Sequence, residues 1–184
     1  MTHRLDDELV AQARAGEVAA VDAVYRALAG PVRGYLASRG SQDPDGLTSE
    51  VFLVVFGRLS NLRGGASGLR TFTFSIAHAR LVDELRQRAR RPDIEPVADP
   101  PRFGRAPSAE DEVLARDSAN RVAALLATLP AEQAEALTLR VVADLSVEQI
   151  AHIMNRSEGA VKQLQRRALL RLRESLGVTQ DVPR

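Results

Sequence analysis

A chain of 184 residues and 20.0 kDa with a formal net charge of only +1 has room for two modest units, and its bulk charge points to no class of partner. It has no cysteine, which excludes disulfides, thiolate metal sites and thiol sensing, and His3, His78 and His152 are too far apart in sequence for a ligand set, so no metal and no cofactor are expected. The start, MTHRLDDELVAQ, is charged rather than signal-like and no apolar run approaches the ~20 residues that cross a bilayer, so a soluble cytoplasmic chain without a membrane partner is expected.

Leu9, Val10 and Ala13, then Val18, Val21, Val24, Tyr25 and Leu28, keep helical spacing across a break at Gly16. Two helices follow, the second kinking at Pro31 or running on through Val32, Tyr35 and Leu36. Beyond the breaker run RGSQDPDG, Asp43 can cap a third helix and Pro44 can open its first turn, with Leu47, Val51, Phe52, Val55, Phe56 and Leu59 as its apolar positions. Ser60 to Arg70, SNLRGGASGLR, reads as a loop whose glycines let the backbone approach a ligand closely. A fourth helix from Thr71 then has Phe72, Ile76, Leu81 and Leu85 as core positions, and ends on Arg80, Arg86, Arg88, Arg90 and Arg91 against Asp83 and Glu84.

Five of the nine prolines fall between Pro92 and Pro107, and this linker divides the chain into residues 1–91, 92–107 and 108–176, with a tail at 177–184. Extended at ~3.3 Å per residue, it reaches roughly 50 Å. Val113, Leu114, Val122, Leu125, Leu126 and Leu129 mark the next helix, and Pro130 starts another. Strand signals are nearly absent, so the class is all-α: two small helical domains on a flexible linker.

The last unit, SVEQIAHIMNRSEGAVKQLQRRALLRLRESL, has the layout of a helix-turn-helix. Ser146 and Gln149 have capping-box spacing, Asn155 falls where the turn wants a left-handed residue, and Ser157 can cap the second helix. Val161, Leu164, Ala168, Leu172 and Leu176 form its inward stripe, which leaves Lys162, Gln163, Arg166 and Arg167 outside near the half that enters a major groove. Gln163 and Arg166 are the candidates for base contact. The plain alternative is an αα-hairpin with a solvated basic face. No phosphate-cradling glycine motif, Ser/His/Asp spacing or carboxylate cluster argues for an enzyme or a small-molecule substrate.

Taken together, DPDGLTSEVFLVVFGRL, LRTFTFSIAHARLVDELRQRARR and LPAEQAEALTLRVVADLSVEQIAHIMNRSEGAVKQLQRRALLRLRE resemble the successive signatures of bacterial extracytoplasmic-function sigma factors, of the sigma-70 family. The resemblance covers nearly the whole chain apart from linker and tail. It implies that residues 1–91 are region 2, docking on the clamp helices of the core RNA polymerase β′ subunit through Asp45, Leu47, Thr48, Glu50, Val51 and Leu53. It implies minus-ten recognition and melting by Asn61, Arg63, Arg70, Phe72, His78, Arg80 and Arg86, with Phe72 and Phe74 where members often carry a Trp and a Tyr. Residues 108–176 would be region 4, touching the β flap and reading minus-35 promoter DNA through Ser157, Glu158, Lys162, Gln163, Arg166 and Arg167. Gly46 and Ser49 depart from the docking motif, and Leu164 and Gln165 from the recognition helix, where they suggest a rotated core face. An anti-sigma factor is a further partner that the resemblance leaves open. The competing readings are a stand-alone helix-turn-helix regulator and a mimic that sequesters an anti-sigma protein.

Overall fold

The computed structural model describes residues 5–90 and 124–176. The proline-rich segment 92–107, the expected domain start at Ser108 and the tail 177–184 lie outside the described residues, as do Val113, Leu114 and Val122. Every regular element among the described residues is helical. They are α1 (Asp7–Arg14), α2 (Val18–Ser38), α3 (Pro44–Arg58), a 3-10 turn (Leu59–Asn61), α4 (Gly65–Arg90), α5 (Ala131–Val141), α6 (Val147–Met154) and α7 (Glu158–Ser175).

Local chemistry accounts for most boundaries. The Asp6 carboxylate accepts from Leu9 N at 2.9 Å and starts α1, and Gly16 at φ +91 turns the chain into α2. Pro31 sits inside α2 without ending it: Val24, Leu28, Val32, Tyr35 and Leu36 are fully buried on both sides of it, and this packing outweighs one missing backbone donor. Asp43 caps α3 through Gly46 N at 2.8 Å, with Pro44 in the first turn.

The expected glycine loop is much shorter than Ser60 to Arg70. Its second half is already helix, because the Asp7 carboxylate reaches across from α1 to accept from Ala66 N at 2.7 Å and caps α4 from another element. Gly65, at φ +57, lies so close to that carboxylate that any Cβ would collide with it, and a Cβ on Gly68 would strike the Arg63 carbonyl oxygen. These glycines admit the chain's own groups, where the sequence suggested a ligand.

Val51, Phe52 and Val55 of α3 meet Leu69, Phe74, Ala77 and Leu81 of α4 and the buried face of α2 in one core. Leu81 is buried as expected, whereas Phe72, Ile76 and Leu85 only flank that core and Phe74 fills it, edge-on to Tyr35 at 5.8 Å. In the second unit, Leu126 and Leu129 pack with Ala134, Leu137 and Ala168.

Helix α5 joins the two units. All seven residues from Gln133 to Leu139 are buried, because α7 covers one face and α2 the other. Ala136, Leu139, Ala143, Leu145 and Ile150 thereby belong to the same apolar cluster as Tyr35 and Phe74. A helix that is enclosed on all sides is the mark of a shared wall.

Candidate nucleic-acid interface

The helix-turn-helix is built as its sequence requires. Ser146 Oγ accepts from Gln149 N at 3.2 Å while Gln149 Oε1 accepts from Ser146 N at 2.7 Å, a closed capping box. Asn155 ends α6 at φ 51, ψ 51, and the Arg156 N–H returns to Ala151 O at 2.9 Å to close the turn. Ser157 Oγ accepts from Ala160 N at 3.2 Å and starts α7. An Arg156 ion pair with Glu132 and the bond from Arg140 Nη1 to Leu145 O at 2.8 Å brace the turn against α5.

On α7, Val161 and Ala168 are buried, Leu164 and Leu172 are half-buried, and Lys162, Gln163, Arg166 and Arg167 are exposed on the outer face. Leu176 departs from the expected inward stripe: at the C-terminal end of α7 it has nothing to pack against and is 58% exposed. Gln165 donates to Ala136 O at 3.3 Å, so it fits an inner edge that an apolar side chain could fill, and the core face is not displaced from Val161 and Ala168. Glu158 lies 3.6 Å from Lys162 as a solvated pair, too weak to hold the lysine away from a phosphate. A shallow groove between α5 and α7 puts Gln163 and Arg167 on one rim, beside Arg156.

The N-terminal candidates divide. Asn61 and Arg63 are exposed, and Phe72 is half-buried. Arg80 lies 3.6 Å from Glu50, and Arg86 lies 3.9 Å from Asp83 on an open face. Phe74 is fully buried and is no stacking platform. Arg70 and His78 are occupied by the second unit: Arg70 Nη1 donates to Ala143 O at 3.2 Å, and His78 meets Glu135 of α5.

On α3, Asp45, Glu50 and Leu53 are exposed, Leu53 at 75%, and Leu47 is half-buried. Thr48 and Val51 correct the docking set. Both are buried, since positions 48, 51, 52 and 55 form the helix face turned to the core, and the Thr48 hydroxyl donates to Pro44 O at 2.6 Å. Asp45 accepts the Arg33 guanidinium at 2.7 and 3.3 Å, a solvated fork.

Sequence reasoning missed a buried polar cluster between the units. The Tyr35 hydroxyl donates to Glu135 Oε1, His78 Nδ1 lies 3.0 Å from the same oxygen, and Arg39 Nε donates to Oε2 at 2.7 Å. A carboxylate offers only acceptors, so Nδ1 is the ring nitrogen that carries hydrogen. Burial raises the Glu135 pKa, but hydrogen bonds from His78 and Tyr35 and the charge of Arg39 outweigh it and hold the carboxyl below its ordinary value. Burial first, and then Glu135, push the Tyr35 phenol well above its ordinary value. A second polar link runs from Gln149 Nε2 to Ser67 Oγ at 2.9 Å and Thr71 Oγ1 at 2.6 Å. Helix α5 carries Glu132, Gln133, Glu135, Thr138 and Arg140 among its alanines and leucines, so its own pattern gives no signal that it is covered.

The family model for sigma-70, region 4 matches residues 125–174, the segment that folds as α5 to α7. Over 181 residues the chain is 32% identical to the ECF RNA polymerase sigma factor SigD of Mycobacterium tuberculosis (strain H37Rv), covering 95% of this chain and 85% of that protein. The chain belongs to the ECF RNA polymerase sigma factors. A further ECF sigma factor, BldN of Streptomyces coelicolor, is 31% identical over 166 residues, covering 88% of this chain and 62% of BldN. Among solved structures, CnrH in complex with the cytosolic domain of CnrY gives a TM-score of 0.66 at 22% identity, covering 95% of this chain and 99% of that one. The sigma factor RpoE in complex with the anti-sigma factor NepR from Bartonella quintana gives 0.64 at 22% identity, covering 86% and 98%. These two extend the likeness in fold over both units. As a sigma factor the chain is a transcription-initiation protein, and none of its described helices is long and apolar enough to cross a membrane.

Proposed function

We propose that this sigma factor binds core RNA polymerase in the cytoplasm and directs it to promoters by reading a duplex minus-35 element and a separated minus-ten element, the polymerase alone doing the chemistry. Residues 1–91 act as region 2, 92–107 as linker and 108–176 as region 4. The observation that carries the reading is the capped helix-turn-helix with Lys162, Gln163, Arg166 and Arg167 free on the outer face of α7. Guanidinium forks on that face suit bidentate contacts, and a good base pair contact discriminates by about 1 to 3 kcal/mol.

On the N-terminal unit, Asp45, Glu50 and Leu53 form the solvent-facing side of α3 that meets the β′ clamp helices. Asn61, Arg63, Arg80 and Arg86 are the accessible groups for an opened strand, Arg70 and His78 join them once the second unit moves away, and Phe72 stands half-buried on the same helix. Ser157 and Glu158 flank the start of α7, where Ser157 can meet a phosphate. An anti-sigma factor is a further partner, in keeping with the RpoE and NepR complex.

The test is run-off transcription with purified chain, core polymerase and a template carrying a candidate promoter taken from transcripts induced by overexpression. Initiation that depends on the chain is expected. Tight binding of duplex DNA by the free chain as a dimer, with no initiation, would support a stand-alone regulator.

A further inference from the structure

We infer that this chain is held shut by its own second unit, with the Glu135 cluster and the Gln149 carboxamide acting as two latches that cover the nucleic-acid stripe of α4. The inference rests on the sigma-factor reading above.

Ser67, Arg70, Thr71 and His78 recur at helical spacing and form one stripe of α4. Each of the four is bonded to α5, α6 or the residues between them: Ser67 and Thr71 to Gln149, Arg70 to the Ala143 carbonyl, His78 to Glu135. A strand of nucleic acid cannot lie on that stripe while the second unit occupies it. Two readers in direct contact also cannot reach two promoter elements whose names set them about 25 base pairs apart, about 85 Å at ~3.4 Å per base pair.

The chemistry of the contact suits a catch that releases. A buried ion pair roughly breaks even against its desolvation, so Arg39 on Glu135, with the His78 hydrogen bond beside it, fixes where α5 docks without making the contact irreversible. Both Glu135 oxygens are in use: Tyr35 and His78 share one and Arg39 holds the other, while Arg39 Nη2 also donates to Ala131 O at 3.0 Å. The three side chains that hold Glu135 come from α2, from the residue that caps its C-terminal end and from α4. Once the units part, the same groups meet water with no bond left broken inside either unit.

Gln149 separates the local role from the global one. Its oxygen completes the α6 capping box, and its nitrogen reaches α4. Glutamate at this position would keep the box. It would lose both donors and turn a carboxylate oxygen toward Ser67 O, and toward a Thr71 hydroxyl whose hydrogen is already given to that carbonyl at 2.9 Å. Only the Ser67 hydroxyl could still turn its hydrogen to that carboxylate, so closure should weaken while the helix-turn-helix stays intact.

Closure is read by energy transfer between dyes on cysteines introduced at Glu17→Cys and Glu174→Cys, exposed positions one in each unit of a chain with no cysteine of its own. Glu135→Ala and Gln149→Glu are each placed in this background, with helical content checked by circular dichroism. Both should lower the transfer efficiency and raise the association rate with single-stranded DNA carrying the candidate promoter's minus-ten element by about threefold or more, since only the open fraction presents the α4 stripe. Unchanged transfer in both variants overturns the latch, and lowered transfer with unchanged association overturns its inhibitory role. Transfer is read without polymerase, so failure of the parent chain to support initiation would sink the function proposed above and leave the closure result standing.

Discussion

The two arginine-rich helices of this sigma factor, α4 and α7, stand in opposite situations. On α7, Lys162, Gln163, Arg166 and Arg167 face solvent over a core edge of Val161 and Ala168. On α4, Arg70 and His78 are spent on the second unit, Arg80 lies near Glu50, Arg88 donates to Gly40 O, and among the described arginines of this helix only Arg86 and Arg90 stand open. Charge density along a sequence therefore marks a capacity for binding nucleic acid, and the tertiary arrangement decides whether that capacity is free. On the proposed function, a duplex reader that is open beside a strand reader that is covered gives an order of events: duplex contact and polymerase docking can precede exposure of the α4 stripe.

The contrast can be broken by damaging one helix alone. Phe74→Ala removes a fully buried ring from α4 and should cost about 3 to 5 kcal/mol of stability, seen as a fall in Tm, while duplex binding through α7 persists. Loss of both together would mean that the two readers fold as one. Lys162→Ala and Arg166→Ala should each weaken upstream-element binding by roughly 1 to 3 kcal/mol where a base contact is lost, or lower the salt slope by about 1 where a phosphate contact is lost. Titration of binding against salt separates the two, and an unchanged slope and affinity would remove α7 from the interface.

Smaller effects sharpen the comparison. Asn155 holds a left-handed conformation at the turn, so Asn155→Val should destabilise the second unit by about 1 to 2 kcal/mol and Asn155→Gly by little, measured by chemical denaturation. Glu135 is held below its ordinary pKa by His78, Tyr35 and Arg39, so it binds its proton less readily in the closed chain than in the open one. Its contribution is therefore complete above the ordinary carboxylate range and is lost as pH falls through the lowered value. Closure should loosen on acidification, and Glu135→Gln should flatten that part of the profile in the energy-transfer assay. Glu158→Gln removes only a solvated pair and should shift stability by less than about 0.5 kcal/mol.

Much of this fold was legible from local chemistry. Ser146, Gln149, Asn155 and Ser157 announce the helix-turn-helix because caps and left-handed turns depend on side chains a few residues away. The glycine loop was misjudged because its cap, Asp7, is distant in sequence and no local pattern reveals it. Thr48 and Val51 entered the docking set by resemblance, although their helical spacing with Phe52 and Val55 already pointed inward. Glu135, Tyr35 and Arg39 could not be paired in advance, since α2 and α5 lie far apart along the chain and an acid in an Ala-rich helix reads as solvated. The functional candidates on α7 were the easiest to see, because an exposed basic face needs nothing from the rest of the molecule.

Helix α5, enclosed on every side from Gln133 to Leu139, has a consequence for how this protein can change. A residue on such a helix answers to two neighbours at once, so a substitution that improves the seat of α7 also alters the hold on α2. Adjusting promoter preference through the second unit would then disturb the ease with which the molecule unfastens. Drift in either property is tied to the other, and compensating changes should surface in Tyr35, Arg39 or His78 before they surface among the exposed arginines of α7.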